Sequence, residues 1–146
     1  MSDSLPSFPP PADEHPLRGR VLDVLIDDGL SPSLDDDGDV AFVLEEQKLF
    51  VRCTDGPPAM LRLFGQWRIT APPAADDELR WLRAASTVNA THNLAKISVY
   101  RGILVVAVDV VVPDDAPLDL LFRTATQAVL AAVTGWHHEV ERQQAD

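Results

Sequence analysis

Cysteine is nearly absent: Cys53 stands alone among 146 residues. An internal disulfide is excluded, and a lone thiol fits a reducing compartment. Lysine is almost as scarce, with Lys48 and Lys96 the only two among 12 basic residues, so arginine carries most of the positive charge. Aromatic residues amount to 6%. Long apolar runs are missing as well. Ile103 to Val108 is cut short by Asp109, far below the roughly 20 residues a membrane helix needs. The opening Met-Ser-Asp-Ser-Leu-Pro has neither the basic start nor the apolar stretch of a signal peptide. There is no glycine-rich phosphate loop, no nucleophile elbow, no zinc-protease helix and no Cys pair. The lone thiol and the missing apolar run and leader lead to the expectation of a cytoplasmic protein with no membrane span. The missing motifs leave no catalytic, cofactor or metal residue to assign, so the expectation is a non-enzymatic protein, with an enzyme of unrecognised site as a rival.

What is there begins with charge. The net charge of −11 opposes general nucleic-acid binding, because phosphate repulsion acts at long range. Residues 1–60 hold 13 acidic and 4 basic groups, whereas residues 61–146 hold 10 and 8. A hydrophobic fraction of 46% and a charged fraction of 24% are ordinary for a globular chain.

Along the chain, residues 1–15 are rich in proline and polar groups and are expected to form a disordered tail. Pro16 opens a helix to about Asp28, with Leu17, Val21, Val24 and Leu25 on one stripe and Gly29 as its stop. Ser31 to Asp39 reads as an acidic turn. Strands are expected near Val40 to Leu44, Lys48 to Cys53 and Met60 to Ile69, before Pro72-Pro73 ends that segment. A second helix follows, with Asp76 as N-cap and Asn93 closing it in the left-handed conformation. The β-branched runs Lys96 to Tyr100 and Ile103 to Val112 are joined only by Arg101-Gly102, the signature of a two-residue hairpin. From Pro113 to Pro117 a last helix starts, bearing the stripe Leu118, Leu121, Phe122, Ala125, Val129, Ala132, Val133 and Trp136. The expectation is an α+β domain over residues 16–142, with about five antiparallel strands in the order α-β-β-β-α-β-β-α. Residues 143–146 would form a short C-terminal tail.

Two metal-like patterns invite a reading and do not sustain it. Asp35-Asp36-Asp37-Gly38-Asp39 resembles a calcium loop, but Leu44 stands where the bidentate Glu belongs and a strand follows. His137 and Glu141 share a helical face, yet two ligands make no site, and His92 has no metal partner at suitable spacing. Cys53 has no visible base and reads as a small core residue.

Sheet alternation is more informative. With a turn at Arg101-Gly102, Tyr100 opposes Ile103 and Lys96 opposes Ala107. Lys48, Phe50, Arg52, Arg62, Phe64, Arg68, Lys96 and Tyr100 then fall on the polar side of their strands, with Lys96 diagonal to Asp109. This face is either solvated, turned to a partner copy, or a recognition surface for an acidic or aromatic-bearing peptide. The second helix is apolar on more than one side. Trp81, Ala84, Ala85 and Val88 are therefore expected at a dimer interface.

The segments Leu49-Phe50-Val51-Arg52, Leu61 to Ile69, Glu78 to Asn93, Lys96 to Tyr100 and Leu104 to Val112 resemble the YbjN family of small bacterial proteins. The resemblance covers about Arg18 to Val140. It implies the topology of the class I type III secretion chaperones, a homodimer that binds extended peptide segments, and a role in sensory-transduction regulation. The expected function is a dimeric peptide- or protein-binding module; the alternative is a small-anion or nucleotide sensor using Arg52, Arg62 and Arg68.

Overall fold

A computed structural model of the chain describes residues 16–69 and 75–145. The expected tail over residues 1–15 and the Pro72-Pro73 break lie outside them. Among the described residues, three helices and six strands follow in the order α1 (Pro16–Asp27), β1 (Ser33–Leu34), β2 (Val40–Leu44), β3 (Gln47–Thr54), β4 (Met60–Arg68), α2 (Ala75–Thr91), β5 (Lys96–Tyr100), β6 (Ile103–Val111) and α3 (Leu118–Ala145). The strands form one open antiparallel sheet ordered β1-β2-β3-β4-β6-β5. The α+β class expected from sequence holds. The additional strand is β1, where two residues of the acidic segment pair with β2, Ser33 opposite Ala41 and Leu34 opposite Val40. A two-residue strand is too short to show periodicity.

The described chain divides into two compact units, residues 16–62 with 110–121 and residues 63–69 and 75–109 with 122–145. In the first unit, α1 buries Leu17, Val21, Leu22 and Leu25, the spacing of one helical face, and it lies against β3. Its end is a Schellman motif. Leu30 N–H bonds the Leu25 carbonyl at 3.0 Å and Gly29 N–H that of Ile26 at 2.9 Å, with Gly29 at φ 81°. The β2–β3 hairpin sets Leu44 opposite Gln47 and turns through Glu45 and Glu46, both left-handed at φ 51° and 64°. That geometry is usually given to Asn-Gly, because a side chain in this region crowds the following carbonyl.

In the second unit, the β5–β6 hairpin has the expected register, Tyr100 opposite Ile103 and Lys96 opposite Ala107. Arg101 and Gly102 both have positive φ, at 51° and 75°. The α2 helix already includes Ala75, so Asp76 is not its N-cap. With Asp77 and Glu78 it forms the first turn, where carboxylates meet the positive end of the dipole. Nor does Asn93 take the left-handed conformation after α2. Leu94 does, at φ 72°, inside a tight turn closed by Ala95 N–H on the Asn93 carbonyl at 2.8 Å. The Trp136 indole N–H of α3 donates to the Trp81 carbonyl of α2 at 3.1 Å. The α3 helix starts at Leu118, after the turn that was expected to open it, and runs to Ala145, so residues 143–145 continue the helix and are not a tail.

Replacing Glu45 by Asn and Glu46 by Gly together should relieve the left-handed strain and raise stability by roughly 1 kcal/mol, net of glycine's entropic cost. A thermal melt reads this directly. An unchanged or lower Tm would mean that the two glutamates make compensating contacts.

Candidate functional site

The residues expected to share one polar sheet face meet different fates. In the first unit, Lys48 is exposed and its ammonium stands 5.5 Å from the centre of the Phe50 ring. Arg52 is committed elsewhere. Its Nε and Nη2 form a fork on the two Asp39 carboxylate oxygens at 3.1 and 2.9 Å, and Asp39 is only 4% exposed. The Asp39 carboxylate in turn raises the Arg52 guanidinium above its already high ordinary value. Arg62 is exposed on β4. In the second unit, Arg68 is exposed, and Lys96 lies 3.7 Å from Asp109, the diagonal partner expected from the register. Tyr100 is exposed beneath the Arg101 guanidinium, 5.1 Å from its ring centre. Phe64 corrects the expectation, because it is buried at 8% exposure. Leu63, Phe64 and Gly65 are buried in succession, so both faces of β4 are covered at that point. The Trp67 indole folds over Gly65, where a Cβ would overlap its ring.

The expected dimer interface is also corrected. Trp81, Ala84, Ala85 and Val88 are all buried within the single chain. The apolar residues that α2 leaves outside are Leu79 and Leu82, 48% and 46% exposed. Helical spacing marks both groups as apolar. Only packing decides which one is spent on the core.

Among the described residues, the carboxylates that could jointly face a cation are Asp35, Asp37 and Asp39, whose oxygens lie within 4.8 Å of one another. Their chemistry is structural. Asp35 Oδ1 accepts the N–H groups of Asp37 and Asp39 at 3.0 and 2.9 Å, while Asp39 is held by Arg52. Arg18 Nη1 also donates to the Gly38 carbonyl at 3.3 Å. Near the C-terminus, Glu139 is engaged by Arg142 Nε at 3.1 Å to each oxygen, which holds its carboxyl below the ordinary range. His137 meets Trp136 edge-on at 5.1 Å between ring centres.

Among the described residues, a groove lies within each unit. The first, of about 380 Å³, is lined by Gly29, Leu30, Ser31, Ser33, Ala41, Phe42, Val43 and Lys48. It exists because β1 is short. The register that sets Ser33 opposite Ala41 would set Ser31 opposite Val43, but β1 begins only at Ser33. In a two-residue hairpin the flanking pair, Leu44 and Gln47, exchanges hydrogen bonds, so Val43 points its N–H and C=O away from β3. Among the described residues no hydrogen bond reaches them, and the side chain is 57% exposed. Ile97 on the β5 edge is treated differently. By the same alternation Ile97 points its backbone groups outward, and the Asn89 carboxamide takes both: Ile97 N–H donates to Oδ1 at 2.7 Å and Asn89 Nδ2 donates to the Ile97 carbonyl at 3.1 Å.

The second groove, of about 710 Å³, is lined by Asp76, Leu79, Arg80, Arg83, Ser86 and Thr87 of α2 and by Arg142 and Gln143 of α3. Neither groove was foreseen. Pro32 was the sequence signal for the first. For the second, Arg80, Arg83, Ser86 and Thr87 share one helical face, but nothing local ties them to Arg142. No protein-family model matches the chain, and no curated protein matches it.

Two outcomes check the local chemistry. Arg52→Met would strand the buried Asp39 carboxylate and should cost roughly 1–3 kcal/mol in urea unfolding. Adding Asp39→Asn to that variant should recover part of the loss, because the two sites are coupled. Burial pushes the half-buried Cys53 thiol up to about 12 from an ordinary 9.0, partly opposed by Arg18. Above pH 9.0 the unfolded chain sheds this proton while the folded chain keeps it, so stability should fall as pH rises from there toward 12. Cys53→Ala should flatten that part of the profile. Iodoacetamide at pH 8 should label the native thiol far more slowly than the thiol in urea; equal rates would refute the assignment.

Proposed function

We propose that the protein is a non-enzymatic, dimeric binding module for extended peptide segments, of the chaperone-like type that its resemblance to the YbjN family implies. The observation that carries this reading is the open β2 edge at Val43. An extended segment laid in the groove can take the Val43 N–H and C=O as a strand partner. Leu30 and Val43 offer apolar surface there, and Lys48, opposite Val43 on β3, adds a cation suited to an acidic side chain. The contrast between two outward residues supports the choice, since Asn89 occupies the backbone groups of Ile97 on β5 while nothing described occupies those of Val43 on β2. The rival sensor reading loses its first arginine, because Arg52 is already neutralised by Asp39.

The test is an array of extended heptapeptides rich in Val, Ile and Thr with a flanking Glu. The wild-type protein should retain a subset of them. Val43→Pro should fold, because on the free side of an edge strand the lost N–H serves no ladder bond, yet it should lose at least tenfold in affinity. Equal binding by the variant would place recognition elsewhere. Dimerisation belongs to the same reading, through a surface other than the buried Trp81 side. Light scattering that returned a monomer at micromolar concentration would remove it.

A further inference from the structure

We propose a second binding site, independent of the β2 edge: the groove between α2 and the C-terminal end of α3 takes a phosphomonoester. Three of the chain's 12 basic residues, Arg80, Arg83 and Arg142, line it, although the net charge is −11. Two of these guanidinium groups are held in place by carboxylates. Asp77 accepts from Arg80 Nη1 at 2.9 Å, and Glu139 accepts from Arg142. Arg83 has no ion pair among the described residues, and no hydrogen bond there engages the Ser86 or Thr87 hydroxyl. These three residues stand three and four positions apart, on one face of α2. The unengaged donors are therefore one guanidinium fork and two O–H groups lining one groove, beside two arginines held by carboxylates.

That donor set discriminates between anions. A planar carboxylate is satisfied by one fork and leaves the hydroxyls idle. A phosphate monoester presents three acceptor oxygens in a tetrahedral arrangement and can use the fork and both hydroxyls together. The groove's volume of about 710 Å³ exceeds what phosphate alone needs and falls in the range of small-molecule sites. Leu79, exposed on the same wall, offers apolar surface to an organic body. Asp76, also on the lining, disfavours a second anionic group, which points to a monoester over a polyphosphate.

The probe is phenyl phosphate, titrated into the full-length protein and followed by backbone amide shifts, with benzoate as the carboxylate control. Saturable shifts should centre on residues 83–87 and 142–143, with benzoate at least tenfold weaker. Arg83→Gln keeps helix propensity at an exposed position and should weaken phenyl phosphate at least tenfold. Ser86→Ala with Thr87→Val should weaken phenyl phosphate and leave any benzoate binding unchanged. Shifts centred on Val43, unaltered affinity in Arg83→Gln, equal binding of benzoate, or no saturable shift would each overturn the proposal.

Discussion

A two-residue turn permits one register, and the pattern of open and covered backbone at the sheet edges descends from that constraint. Glu45-Glu46 and Arg101-Gly102 each reverse the chain through two left-handed residues. Each thereby decides which residues bond inward to the neighbouring strand and which point outward. On β5 the outward residues include Ile97, and on β2 they include Val43. A slip of one residue would exchange inward and outward groups and move every side chain to the opposite face. The Asn89 cap, the open Val43 edge and the Lys96–Asp109 pair all presuppose the observed registers.

Open backbone at a sheet edge invites pairing with other chains, so the treatment of each edge carries functional meaning. At β5 a single carboxamide meets both outward groups of Ile97, imitating a neighbouring strand for one residue. At β2 the pairing strand stops after two residues, before the position opposite Val43. The first arrangement closes one outward position, and the second leaves one open.

Ion pairing shapes the rest of the surface. In a chain with 23 acidic and 12 basic residues, a cation is readily claimed by a carboxylate nearby. Arg52 goes to Asp39, Lys96 to Asp109, Arg80 to Asp77 and Arg142 to Glu139. Alternation along strands locates arginines on a face correctly but cannot say whether their charge is already spent. Arg52 is the clearest case, because its partner lies 13 residues away and is buried by the fold. The sheet face that looked like a field of free cations is therefore partly self-neutralised, while Arg83 on α2 keeps its charge.

Local rules were sufficient wherever local energetics dominate. The α1 stop at Gly29, the Arg101-Gly102 hairpin with its register, and the apolar stripe of α3 were legible because each follows from backbone sterics or periodicity within a few residues. Strand β1 was not, being too short to have a period, and the left-handed residue after α2 moved from Asn93 to Leu94 because the closing turn, not intrinsic preference, selects it. Tertiary packing alone decided that Trp81, Ala84, Ala85 and Val88 are core while Leu79 and Leu82 are surface, and that Phe64 is covered. It also brought Arg142 to the face of α2 that bears Arg83, two positions 59 residues apart in the chain. Burial and long-range proximity depend on which surfaces meet, and an amphipathic pattern records only that a surface must be covered, not by what.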